Sequence, residues 1–110
     1  MKVEDIQSVV VIGAGIMGEG IAQNFAQSGL SVRLVDRENQ ILESCLAKID
    51  ANLGLFQEFG LLQENPSDIT SRIEPFLSEE LARATEGCDF VVEAIPEILE
   101  LKKELFKIFD

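Results

Sequence analysis

The 110-residue chain has no histidine, no tryptophan and no tyrosine, and only two cysteines. Without an imidazole it lacks the side chain whose ordinary pKa lies nearest neutrality, and no other residues form a convincing acid–base pair for alcohol oxidation. Cys45 and Cys88 are isolated and lack metal-ligand spacing, so no metal site is expected and both read as buried free thiols of a cytosolic protein. Basic residues are scarce: 9 Lys and Arg stand against 20 Asp and Glu, a net charge of −11. That balance argues against nucleic acid, which needs a basic face, and against adhesion to an anionic membrane. No apolar run approaches the ~20 residues that span a bilayer. The N-terminus, Met1-Lys2-Val3-Glu4-Asp5, lacks the basic-then-apolar layout of a signal peptide. The expected location is the cytoplasm.

What is present is an ordinary globular composition, 46% hydrophobic and 26% charged, long enough for one domain with its own core. Ser8 to Ile12 is a β-branched run without polar alternation, which suits a central strand of a parallel sheet. A helix is expected from Ile16 to Ser28, with Gly29 as its C-terminal stop. A second strand spans Ser31 to Val35 and ends at Asp36. Helices are expected at 38–53 and again at 55–63, followed by the turn Asn65-Pro66-Ser67-Asp68, where Ser67 could cap a short helix. A third strand is expected over 72–76, and Pro75 suggests that it lies at an edge or ends there. Ser78, Leu81 and Ala82 suggest a short helix, Asp89 to Ile95 a fourth strand, and Pro96 opens a final helix. Strand and helix alternate, so the fold class is α/β, a doubly wound parallel sheet.

Gly13-Ala14-Gly15-Ile16-Met17-Gly18 matches G-x-G-x-x-G. The pattern alone is weak, but here it follows an apolar strand, opens a helix, and has an acid at the end of the next strand. Asp36 lies 18 residues beyond Gly18, near the expected ~20. Gly13 permits the tight turn, Gly15 lets backbone approach a pyrophosphate, and Gly18 lets the helix pack on the strand. The helix N-terminus offers N–H groups to the phosphates, so an acidic protein can still bind an anionic dinucleotide. Asp36 should hold the adenosine ribose and repel a 2′-phosphate, a charge pair at ~4 Å being worth roughly 4 kcal/mol at an effective dielectric of 20. NAD is therefore expected over NADP. Arg37 could accommodate a 2′-phosphate, stack on adenine, or be a solvated side chain.

The stretch Val11 to Gln23, with Leu34-Val35-Asp36, resembles the opening of 3-hydroxyacyl-CoA dehydrogenases. A second signature, Asp89-Phe90-Val91-Val92-Glu93-Ala94-Ile95-Pro96-Glu97 followed by Leu101-Lys102-Lys103-Glu104-Leu105-Phe106, resembles the same family. The likeness covers nearly the whole chain. It implies a Rossmann-type NAD-binding domain from an enzyme that oxidises the 3-hydroxyl of an acyl-CoA to a ketone in fatty acid metabolism. It implies that residues 13–18 and Asp36 bind the ADP half of NAD and that Glu97 and Lys102 contact the cofactor. A helix-dipole acid and a solvated lysine are the plain alternatives for those two. Ile98 stands where the family usually has Asn. An ungapped alignment after Asp36 puts Asn52 and Phe59 where the family has a CoA-contacting serine and lysine. These departures bear on acyl-CoA specificity more than on dinucleotide binding.

The family's general-base histidine, its orienting glutamate and its helical substrate and dimerisation domain are not in these residues. Residues 1–110 are thus expected to be a partial dinucleotide-binding domain, not catalytic alone, from a homo-oligomer acting on acyl-CoA. A truncated sheet of order 3-2-1-4 follows, with 89–95 as an apolar edge that self-associates or is covered by a missing segment. Two other readings stay open: a stand-alone NAD-binding or interaction module, and a related dehydrogenase for another small hydroxy acid.

Overall fold

A computed structural model describes residues 5–94. It contains a four-stranded, all-parallel sheet in the order β3-β2-β1-β4. The strands are β1 (Ser8–Ile12), β2 (Ser31–Asp36), β3 (Ile73–Leu77) and β4 (Phe90–Glu93). The helices are α1 (Ile16–Gln27), α2 (Asn39–Glu58), α3 (Pro66–Thr70) and α4 (Leu81–Thr85), the last preceded by a 3₁₀ turn, Ser78–Glu80. The expected strand order and fold class are those observed.

Register explains the continuous apolar runs. Val9 pairs with Val32 and Phe90, and Val11 with Leu34 and Val92. Alternate residues point to opposite faces of the sheet. Val9, Val11, Val32 and Leu34 therefore pack on α1 and α2, together with Ala22, Ala26, Leu42, Cys45, Ile49 and Leu53. Val10 and Val35 face the other side, where Phe76 and Ala84 cover them among the described residues. A strand buried on both faces cannot alternate apolar with polar. Arg33, on that second face, donates to the carbonyls of Ala84 and Glu86 and ties the end of α4 to β2.

Both long helices end on a glycine with positive φ. Gly29 (φ +93°) donates to the Ala26 carbonyl and Leu30 to that of Phe25; Gly60 (φ +71°) donates to Gln57 and Leu61 to Phe56. These paired bonds satisfy the last carbonyls of each helix. The second stop corrects an expectation. There is one helix over Asn39–Glu58 and not two, and Gly54 sits inside it. A mid-helix glycine costs about 1 kcal/mol, which burial of Leu42, Cys45, Ile49 and Leu53 on one stripe offsets. The short helix α3 also starts differently: Asn65 is its N-cap and Pro66 its first residue, where Ser67 was the expected cap. Proline's fixed φ suits that first position.

Pro75 lies in β3 at the sheet edge, as its missing N–H requires. Among the described residues β4 is the other edge, with Phe90 50% and Val91 44% exposed. Ile95, Pro96 and the expected final helix lie outside the described residues.

Candidate functional site

The site forms at the C-terminal ends of β1 and β2, where the chain turns into α1 and α2. In an open parallel sheet, ligands bind beyond the carboxyl ends of the strands, where the direction of winding reverses. Here that point lies between β1 and β4, neighbours in the sheet but far apart in sequence.

The glycine loop is built by hydrogen bonds to β2. Gly13 (φ +103°) donates its N–H to the Val35 carbonyl at 2.7 Å. Ala14 donates to Oδ2 of Asp36 at 2.9 Å, and Glu38 donates its N–H to Oδ1 at 3.1 Å. Asp36 thus locks the loop and the start of α2 together. Each carboxylate oxygen has a second lone pair left for another donor.

The three glycines differ in what requires them. A Cβ on Gly18 would lie 1.7 Å from the Gly13 carbonyl oxygen, so the helix–strand approach demands its absence. Gly13 needs its positive φ. A Cβ on Gly15 would meet nothing within 4 Å. No contact among the described residues calls for glycine there, so the steric demand fits a ligand lying against the loop. Gly15 is also the N-cap of α1 and no side chain caps the helix, which leaves its first N–H groups for an anion. Ile16, the first residue of α1, is 87% exposed and Met17 is exposed beside it. Two exposed apolar side chains at the glycine turn are what an overlying ligand would cover. Of the remaining expected site residues, Arg37 is exposed, and Glu97 and Lys102 lie outside the described residues.

Next to the loop is a cleft of about 320 Å³. Ala14, Gly15, Ile16 and Glu19 form one wall; Glu38, Gln40, Ile41, Ser44, Cys45 and Lys48 form the other. The sequence reading missed these α2 residues. Gln40, Ser44 and Lys48 recur every fourth position, so they form one polar ridge, legible in the sequence but meaningless without the opposing wall. Cys45 lies almost fully buried beneath the cleft, and burial, followed by the nearby Glu19 charge, pushes its thiol up to about 11, against the opposing pull of Lys48. It stays protonated and unreactive near neutrality.

Asn52 faces α1, donating to Oε1 of Gln23 at 3.2 Å and to Oε1 of Glu19 at 3.4 Å. Phe59 is 75% exposed at the end of α2. Among the described residues no group of three or more His, Cys, Asp or Glu could hold a metal ion, and no helix is long and apolar enough to cross a membrane.

Residues 8–110 match the family described as 3-hydroxyacyl-CoA dehydrogenase, NAD binding domain. The chain is 41% identical over 97 residues to the "Probable 3-hydroxybutyryl-CoA dehydrogenase" of Deinococcus radiodurans, covering 88% of this chain and 34% of that protein. It is 39% identical over 110 residues to the mitochondrial hydroxyacyl-coenzyme A dehydrogenase of Rattus norvegicus, covering 96% of this chain and 35% of the relative. The structure of 3-hydroxybutyryl-CoA dehydrogenase from Escherichia coli superposes with a TM-score of 0.76 at 35% identity, over 92% of this chain and 21% of that one. The chain therefore spans about a third of the length of the relatives it matches in sequence.

Proposed function

The chain belongs to the 3-hydroxyacyl-CoA dehydrogenase family, as its NAD-binding domain, and from that premise we propose that it holds NAD for the oxidation of a 3-hydroxyacyl-CoA to a 3-ketoacyl-CoA in fatty acid metabolism. The single observation that supports this best is the bond between Asp36 and the Ala14 N–H. It joins the strand-end carboxylate to the glycine loop at the carboxyl ends of β1 and β2, and this supports a ribose beside Asp36 and a pyrophosphate over the loop.

In this reading the backbone of residues 13–18 and the N-terminus of α1 take the pyrophosphate. Asp36 accepts from the adenosine ribose hydroxyls. Ile16 and Met17 lie against the dinucleotide and exclude water. Arg37, Glu97 and Lys102 complete the contacts to the cofactor. Bound NAD supplies the hydride acceptor. This chain has no histidine to act as general base, so the base and the acyl-CoA pocket come from a separate substrate and dimerisation domain. Residues 1–110 act as a partial dinucleotide-binding domain within a cytoplasmic homo-oligomer.

One observation favours a second reading. Phe59 is exposed and uncharged where the family resemblance places a CoA-contacting lysine, and this suits a related dehydrogenase for a smaller hydroxy acid.

Calorimetric titration of the chain with NAD and NADP tests the cofactor assignment. NAD binding, weaker NADP binding, and a large loss of NAD affinity on Asp36→Ala are the expected results. A folded chain that binds neither nucleotide would refute the assignment.

A further inference from the structure

Two charged residues of opposite sign follow Asp36, and sequence alone leaves open which one a ribose 2′-phosphate would meet. We infer that Glu38, and not Arg37, sets discrimination against that phosphate, acting beside Asp36 as a second negative wall. The inference deepens the NAD-binding reading and rests on it.

Three observations carry it. Glu38 lines the cleft that adjoins Ala14 and Gly15; Arg37 does not. The Glu38 backbone is held from both sides. Its N–H donates to Asp36 Oδ1 at 3.1 Å, and its carbonyl accepts from the N–H groups of Ile41 and Leu42. The side chain therefore leaves the backbone at a fixed point beside the carboxylate that is to hold the ribose. Finally, although Glu38 occupies the N-cap of α2, it makes no side-chain cap bond. Its carboxylate is not consumed by the helix.

The electrostatics of the cleft run the same way. Glu19 and Glu38 contribute two negative charges to its walls and Lys48 one positive charge. A phosphate added to the ribose would enter a net negative cleft, two of whose lining residues, Ala14 and Glu38, are bonded to the Asp36 carboxylate. The uncharged 2′-hydroxyl of NAD meets no such penalty and can donate to a carboxylate.

The test is a charge series at one position. NAD and NADP are titrated into the 110-residue chain at low salt, for the wild type, Glu38→Gln and Glu38→Lys. The readout is the ratio of the NADP Kd to the NAD Kd, which cancels any general change in site quality. Removing one charge at this range should lower the ratio roughly fivefold, and reversing it should lower it further. Both effects should shrink in 0.5 M salt, where the screening length is a few ångströms. A ratio that stays within about twofold along the series, in a chain that binds NAD, overturns the role of Glu38 and leaves the NAD site standing. Absence of NAD binding in the folded wild type overturns both.

Discussion

Strand β1 is clasped by an aspartate at each end. At its N-terminal end, Asp89 accepts from the N–H of Gln7 at 2.9 Å and of Ser8 at 3.1 Å through the same oxygen. At its C-terminal end, Asp36 accepts from Ala14 at 2.9 Å and from Glu38 at 3.1 Å, one on each oxygen. By the count of backbone N–H groups they accept from, the two carboxylates are alike. Their surroundings are not. Asp89 uses a single oxygen to join β4 to β1 and also takes a weak bond from the Ser8 hydroxyl. Asp36 joins two loops at the end of the sheet where helix N-termini converge, above a cleft. The bonding pattern marks a clasp; position on the sheet makes one of the two clasps the candidate binding site.

The harshest way to break the Asp36 end leaves Asp36 itself intact. A glycine-to-alanine change inside a helix normally adds about 1 kcal/mol of stability. At Gly18 the sign should reverse, because the new Cβ would lie 1.7 Å from the Gly13 carbonyl. Gly18→Ala should cost on the order of 3 kcal/mol and eliminate NAD binding, as read by thermal melts and calorimetry. A stable, NAD-binding variant would mean that the loop is held less tightly than described.

Next in size is Asp36 itself. Asp36→Ala removes a charged acceptor from two backbone donors, and NAD should weaken about 100-fold, by 2–3 kcal/mol. Asp36→Asn keeps an acceptor for one donor and should fall between the two. If alanine and asparagine prove equal, charge and not geometry governs this end.

Asp89→Asn should do the converse, lowering the melting temperature while NAD affinity holds. Its effect depends on pH. The backbone N–H groups of Gln7 and then Ser8 hold the Asp89 carboxyl below its usual range. Between its folded and unfolded pKa values the unfolded chain binds more protons, so stability rises with pH across that window. The contribution is complete above the unfolded value, about 3.9, and is lost as pH falls through the lower folded value. The wild type's advantage over Asp89→Asn should vanish in that acid range. An advantage unchanged down to pH 2 would detach the clasp from the ionised form.

The smallest effects are local openings, and the two cysteines report one end each. Cys45 lies buried by the cleft near Asp36, and Cys88 is half-buried immediately before Asp89. A thiol reagent near pH 8 should label Cys88 first and leave Cys45 protected until global unfolding. Asp89→Asn should speed Cys88 labelling alone.

The sequence showed the Asp36 end more clearly than the Asp89 end. Glycine spacing and a strand-terminal acid follow from the sterics and charge of a dinucleotide, and those rules are local. Asp89 appeared as the start of a strand and of the second signature, with no sign of its clasp, since its partners lie more than 80 positions away. The cleft residues of α2 were invisible for the same reason. Gln40, Ser44 and Lys48 look like any solvated ridge until α1 stands opposite. The break expected at Gly54 was misplaced because propensity is weak beside burial. The turn of α2 before that glycine is anchored by Leu53, and the helix runs on until Gly60 can adopt a positive φ.

By itself, the sequence determined the alternation of strands and helices, their parallel order, the turn built on Gly13 and Gly18, and the family. These depend on side-chain volume, branching and φ preference over short spans. Only the tertiary structure decided that Asp36 fastens the glycine loop, that Glu38 and not Arg37 borders the cleft, and that Gly15 answers to nothing among the described residues. Each of those depends on distance between segments far apart in the chain, which close packing sets and no local pattern encodes.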